Sequence, residues 1–389
     1  MDQDTADVVV IGGGVNGTAA AYELARRKLR VIVVERFGLA AMASGWTLAG
    51  VRQSGRHPAE LPLARAAVER WTTLDDELDA RTGYRQHGNL RLARNAAEVA
   101  VIQDLVRTQQ ALGLDLHLLD DNAAVRAVAP ALAPGIEAAS FCPSDGSADP
   151  VATVDAFTRA AVRHGARFRT GERVTALEVR GGRIAAVVTD RGRLATQRCL
   201  LAAGVLANDL LAPLGLGLPL RRPMVTVLRS EPLPPLLGPV LGVANADMAG
   251  RQEASGRLRV TSGAEPWHGE MHTGSTPRVP PSMASTATVV AKLSAVLPAF
   301  ADARLEACWA GLLDLTPDAL PVLDHAPGVE GLVLAAGFSG HGFGIAPATA
   351  PILADLVTGA RPAFDLAPFR FDRFAREAAR GEAALTLHG

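Results

Sequence analysis

The chain reads as an α/β protein: a Rossmann-type nucleotide-binding domain joined to an α+β domain built on a mostly antiparallel sheet. Three observations predict this. A β-branched run, Val8 to Ile11, stops at the GxGxxG of Gly12-Gly13-Gly14-Val15-Asn16-Gly17, and a helical stretch then leads to a second apolar strand ending at Glu35. A second glycine loop, Gly337-Phe338-Ser339-Gly340-His341-Gly342-Phe343-Gly344, stands between an apolar strand and a helix near the far end of the chain. Between them, alternating runs such as Met224 to Leu228 and Arg257 to Thr261 are separated by Pro and Gly, as in an antiparallel sheet.

In the first unit, Gly12 permits the tight turn, Gly14 lets backbone approach a pyrophosphate, and Gly17 lets helix and strand pack closely. The helix is expected over Thr18 to Arg27. Its N-terminus, with Val15 and Asn16 beside it, aims N–H groups and the positive end of a dipole at the phosphates. Glu35 follows Gly17 by 18 residues, next to Arg36, where a carboxylate accepts hydrogen bonds from ribose hydroxyls and disfavours a 2′-phosphate. From Phe37 to Arg56 a loop rich in small residues lets backbone lie against a flat ligand. Ser44 and Thr47 add hydroxyls, and Ala49, Gly50 and Val51 continue the run. Trp46 and Val51 in its middle argue against a flexible surface loop.

A helix is expected from Pro58 to Asp79, a strand over Tyr84 to Leu92, a helix near Ala96 to Leu112, and a return at Phe141 to Ala148. Another helix, Val151 to His164, precedes strands at Arg167 to Arg169, Val174 to Val179 and Ile184 to Thr189. Arg198 to Ala203 is an apolar strand ending at Ala203-Gly204, small enough to run beneath a phosphate. Near the end come Cys308-Trp309-Ala310-Gly311, Thr316-Pro317-Asp318, the strand Gly331 to Ala336, and a helix from Pro347 to Thr358. The two glycine loops must serve one site. These boundaries place residues 1–83, 142–215 and 325–389 in the nucleotide domain and 84–141 and 216–324 in the second.

Composition narrows the function. A 48% hydrophobic chain of 389 residues with a formal net charge of −1 is neither disordered nor polybasic, so nucleic acid is not an expected partner. Lys28 and Lys292 are the only lysines, which removes most candidates for a Schiff base. Cys142, Cys199 and Cys308 are scattered and form no CxxC, so no disulfide framework or metal site is expected. The early nucleotide strand has no basic segment before it and no apolar run is long enough to span a bilayer. The expectation is a soluble, cytoplasmic protein in a reducing compartment.

With these motifs assembled, the sequence resembles the FAD-dependent amine and amino-acid oxidoreductases that include D-amino-acid oxidase, glycine oxidase and monomeric sarcosine oxidase. The resemblance covers essentially the whole chain, through the nucleotide motif, ASGWTLAGVR, LAAGV, the WAG…TPD…P run and AAGFSGHGF. The runs VRQSGRHPAELPLA, RQHGNLRLA and GHGFGIAPA are most similar to the flavin subunits of opine oxidases, D-hydroxyproline dehydrogenases and hydrogen cyanide synthases.

The resemblance implies a glutathione-reductase-like fold of the D-amino-acid oxidase type. It implies FAD held by Gly12, Gly14, Val15, Asn16, Gly17, Glu35, Arg36, Ser44, Thr47, Ala49, Gly50, Val51, Val174, Ala203, Gly204, Gly311 and the loop Gly337 to Phe343. Only one GxGxxG is present, so electrons are expected from an amine and not from a nicotinamide. The implied chemistry is hydride transfer from a carbon bearing a neutral amine, with the resulting imine hydrolysed by water. Electrons then pass to dioxygen, to a quinone or to an acceptor protein, with other subunits of a heteromeric complex as implied partners. A non-catalytic FAD-binding assembly factor is the reading outside enzymology.

Three residues are candidates for the chemistry. Arg52 suits a carboxylate clamp, because a guanidinium pairs bidentately with a carboxylate, or else a surface or phosphate contact. Arg259 lies near the place of the sarcosine oxidase lysine that helps dioxygen react, or is a strand arginine. His341 either orders its loop or moves protons. Gly344 stands where sarcosine oxidase has a substrate-binding lysine, and Cys308 resembles its covalent flavin cysteine in position, or is an inert buried thiol. Trp267-His268 could reach the substrate pocket.

Overall fold

The computed structural model describes residues 4–274 and 276–376, so the outermost ends of the expected nucleotide domain lie outside the described residues. A six-stranded sheet carries the first glycine unit, in the order Arg167–Thr170, Val31–Glu35, Val8–Ile11, Cys199–Leu201, Leu332–Ala336 and Val322–His325. All neighbours are parallel except the last pair. Both faces are covered, which is why Val8, Val9 and Val10 carry no alternation and have no exposure. Helices Val15–Arg26, Pro150–Arg163 and Gly342–Thr358 seal one face with a core that includes Trp71, Phe157 and Phe369. The other face rests on a four-stranded sheet of Asp4–Thr5, Gly192–Ala195, Arg183–Thr189 and Val174–Arg180.

The second domain is an eight-stranded sheet. All its pairings are antiparallel except that of Val240–Val243 with Asn89–Ala93. Register aligns one row across six strands, Arg91, Gly242, Ala249, Thr261, Val227 and Trp309. Every second residue of a strand faces the same way, so this row and its neighbours two residues on make one face, which overlooks the nucleotide domain.

Several elements differ from expectation for local reasons. The first helix begins at Val15, three residues early, so Gly17 is inside it; a Cβ there would collide with the Gly12 carbonyl. The last helix begins at Gly342, because Pro347, read as a first-turn proline, is interior. Pro351 has no N–H to offer the Pro347 carbonyl, and Arg70 Nη1 donates to that oxygen instead at 2.6 Å. The expected 58–79 helix is two, Leu61–Trp71 and Leu74–Leu78, the second ending at left-handed Asp79. Gly88, at φ +86°, breaks the 84–92 strand into Arg85–Gln86 and Asn89–Ala93. The 37–56 loop contains a short helix, Ala43–Trp46, and a strand, Gly50–Val51, paired with Gly146–Ser147. Among the described residues no helix is long and apolar enough to cross a membrane.

Candidate active site

Two cavities meet at the first glycine loop. One, of about 450 Å³, runs from Gly12 past Glu35, Arg36 and Val174 to Ala203 and Gly204. The other, of about 270 Å³, lies between the domains, under the Arg91-to-Val227 face of the antiparallel sheet. Gly14, Ala43, Ser44, Ala202, Gly204, Leu312 and Asp314 line both, so the two form one elongated groove. Cβ atoms on Gly50 or Gly204, whose positions line the groove, would meet no atom within 4 Å and would project into open space. A long groove with an acid at one end, a helix N-terminus in the middle and bare glycine backbone at the other end fits a dinucleotide bearing a flat ring system.

Most expected cofactor residues line this groove. Val15, Asn16, Thr47, Gly50, Gly311, Phe338, Ser339, Gly340, His341, Gly342 and Phe343 border the inter-domain lobe. Gly17, Ala49, Val51 and Gly337 do not border either lobe, and each has a structural task instead. Gly17 packs on Gly12. Ala49 is left-handed at φ +57°, with its N–H donating to Thr47 Oγ1 at 3.0 Å. Val51 is wholly buried. Gly337 takes φ +69°, and its N–H donates to the Asp314 carboxylate at 2.8 Å.

Polar groups are already partly engaged. Glu35 accepts from the N–H of Gly13 at 2.6 Å and of Phe37 at 2.7 Å, one on each oxygen, which leaves each oxygen further lone-pair capacity. Burial raises its pKa against these two bonds. Ser44 Oγ accepts the Val15 N–H at 2.9 Å and so sits at the helix N-terminus itself.

At the far end of the inter-domain lobe, Arg52, Arg56 and Arg91 converge with Asn89. Arg56 and Arg91 are 4% and 7% exposed. Burial lowers both pKa values, that of Arg91 to about 10. Asp145 organises the loop that carries two of them, accepting from the N–H groups of Gln53 at 2.8 Å and Ser54 at 3.3 Å and from the Ser54 hydroxyl. Arg52 lines the lobe too, and its Nη1 donates to the carbonyls of Ser54 at 2.5 Å and Gly55 at 3.4 Å, which shapes this turn. Neither Arg56, Arg91 nor Asp145 was foreseen. The VRQSGRHP and RQHGNLRLA runs held the signal, but only the sheet register brings them together.

His341 is 3% exposed, and its Nδ1 lies 3.0 Å from Glu60 Oε2. Burial and the nearby Arg56 lower its pKa, while Glu60 is held at about 2 by His341 and Arg56 despite its burial. This geometry supports the loop-ordering role. Asp314 is a further residue that sequence reasoning missed, four positions before the Asp318 of the TPD run. It borders both lobes and anchors the second glycine loop, its carbonyl accepting from Ser339 N at 3.2 Å, and burial pushes its carboxyl up to about 6. Asp318 instead pairs with Arg373 at 2.7 Å.

The other expected positions stand outside the groove. Arg259 borders neither lobe; its Nη1 donates to the Thr47 carbonyl at 2.9 Å, while its ring-facing side lies 5.4 Å from the Trp309 centroid. Arg251, its partner across the sheet, donates to the Leu48 carbonyl at 2.5 Å, so both brace the flavin-loop backbone from behind. Cys308 is exposed, with Thr286 Oγ1 3.7 Å from its sulfur, and alternates with Trp309, so it faces away from the groove and cannot carry a covalent link there. Gly344 packs on the first loop, where a Cβ would stand 3.0 Å from the Gly50 carbonyl, so no side chain reaches the pocket from this position. Trp267 packs against the apolar cluster of Val205, Met224, Val279, Ala310 and Leu312 and does not border the groove, and neither does His268. No metal-ligand cluster occurs among the described residues.

Comparison with known proteins agrees with this architecture. The family model described as FAD dependent oxidoreductase matches residues 7–356. A sarcosine oxidase subunit beta from Rhizobium meliloti is 26% identical, the match covering 95% of this chain and 88% of the relative. A D-amino acid dehydrogenase from Rhizorhabdus wittichii is 27% identical over 94% of this chain and 100% of its own length. Among solved structures, glycine oxidase from Geobacillus kaustophilus superposes with a TM-score of 0.88 at 25% identity, covering 95% of this chain and 99% of the other.

Proposed function

Since the chain belongs to the FAD dependent oxidoreductase family, we propose that it oxidises the carbon–nitrogen bond of a carboxylate-bearing amine: a D-amino acid, an imino acid, an opine or an N-alkyl glycine. FAD is its cofactor and CH–NH or CH–NH₂ groups are its class of substrate. The observation that carries the substrate reading is the cationic end of the inter-domain lobe, where Arg52, Arg56 and Arg91 stand across from the flavin loops.

Gly12, Gly14, Glu35, Ser44, Gly204 and the 338–343 loop would hold the cofactor. Bound FAD supplies the hydride acceptor. The protein then has three tasks. It fixes the carboxylate with guanidinium groups, whose planar fork suits two oxygens. It turns the reacting carbon toward the glycine loops. It excludes water with Val225, Val227, Val240, Leu241, Val243 and Met248. Gly242, beside Arg91 in register, faces open space that leaves room for a substrate side chain. His341 is engaged with Glu60, and positioning dominates over proton transfer.

Similarity to a sarcosine oxidase subunit beta and to a D-amino acid dehydrogenase favours a second reading, in which this chain is the flavin subunit of a heteromeric dehydrogenase. One titration tests both. Holoprotein is mixed without oxygen with D-amino acids, imino acids, opines and carboxylate-free amines while flavin absorbance is followed, and air is then admitted. Bleaching by a carboxylated substrate and not by its decarboxylated counterpart is expected. Recovery in air marks an oxidase, no recovery a dehydrogenase, and no bleaching by any amine would leave a binding or assembly role.

A further inference from the structure

We infer that Arg56 is the carboxylate anchor of the substrate pocket, with Arg91 beside it and Arg52 acting only as the brace of the turn that presents it. The inference rests on the carboxylate reading above and names the residue that performs it.

Three observations carry it. Arg56 borders the inter-domain lobe at 4% exposure, and its Nη1 is wholly buried with no hydrogen-bond partner. A charged donor in that state is unfavourable unless something supplied from outside satisfies it. Its Nε reaches only the Arg52 carbonyl, at a long 3.4 Å. By contrast, Arg52 already bonds two carbonyls of its own turn. Arg91 is packed so tightly over Gly55 that a Cβ there would strike its guanidinium, which fixes its position beside the same turn.

Charge balance points the same way. The groups that face one another here are three guanidinium ions, Arg52, Arg56 and Arg91, and two carboxylates, Glu60 and Asp145, with His341 held toward neutrality. By formal charge this cluster is cationic, which suits a carboxylate. Neither acid bonds Nη1: Asp145 is committed to Gln53 and Ser54, while Glu60 meets His341 through Oε2 and keeps Oε1 buried without a hydrogen-bond partner of its own.

The test separates this assignment from the catalytic reading by measuring binding without turnover. FAD-loaded protein is titrated with benzoate, a carboxylate with no oxidisable amine, by calorimetry and by the shift of the flavin spectrum. Arg56→Ala should weaken benzoate at least about tenfold at unchanged FAD content, Arg56→Gln similarly, and Arg56→Lys less. Wild-type affinity in either neutral Arg56 variant would overturn the assignment. A benzoate-bound crystal structure of the wild type decides the matter without a variant, through the carboxylate's contact with Arg56 or its absence. Intact benzoate binding through Arg56 with no amine able to bleach the flavin would instead refute the proposed reaction and leave the anchor standing.

Discussion

Asp314 shows how one side chain can connect the two lobes. Its carboxyl is buried, accepts the Gly337 N–H and is pushed up to about 6. An acid whose folded pKa lies above its unfolded value near 3.8 destabilises the fold progressively as pH rises between those values, and fully above the upper one. Asp314→Asn keeps an acceptor for Gly337 and removes the charge. It should therefore raise the melting temperature of the apoprotein more at pH 7.5 than at pH 4.5, which paired calorimetric scans would measure. An equal shift at both pH values would mean that Asp314 is not ionising in this range. The sequence left this residue invisible because the neighbouring Thr316-Pro317-Asp318 is the more conspicuous acid-bearing run. That acid holds Arg373 and borders neither cavity.

At the scale of elements, the 47–51 segment is the part most dependent on its neighbours. It contains a left-handed alanine, a short strand of two residues and carbonyls tied by Arg251 and Arg259 from the other domain. Both arginines are nearly fully buried, and Glu253 lies 2.7 Å from Arg259 Nε. Removing one charge-assisted bond of this kind costs about 1.5–3 kcal/mol. Arg259→Ala should thus loosen the loop and weaken FAD at least about tenfold. Fluorescence titration of apoprotein with FAD checks this. Unchanged FAD affinity with slower reoxidation in air would return Arg259 to the dioxygen role suggested by sequence. The loop's small residues were legible as a ligand-facing segment, whereas its two braces were not. They lie more than 200 residues away, at separations of 203 and 212, and reach it only through the strand pairing of Met248–Gln252 with Arg257–Ser262.

Across the whole molecule, sequence reading succeeded where chemistry is written locally and stopped where it depends on register. The strand, glycine turn, helix and acid of the first unit are contiguous, and the second glycine loop declares itself by its position between strand and helix. The arginine end of the pocket is different: Ser54 meets Asp145 across 91 residues, and Arg91 meets Gly242 only because Asn89–Ala93 pairs in parallel with Val240–Val243. The same long-range assembly makes the cofactor part of the fold. The groove draws on Gly12–Arg52, Arg173–Thr175, Ala202–Leu206, Gly311–Asp314 and Phe338–Phe343, segments that an unfolded chain cannot hold together. A ligand that binds only the native state stabilises it by about 4 kcal/mol when present at roughly a thousand times its dissociation constant. Saturating FAD should therefore raise the melting temperature of the apoprotein by at least several degrees, whereas NAD at the same concentration should leave it unchanged. Differential scanning calorimetry makes the comparison, and an equal rise with NAD, or none with FAD, would show that the groove is not built for the flavin dinucleotide.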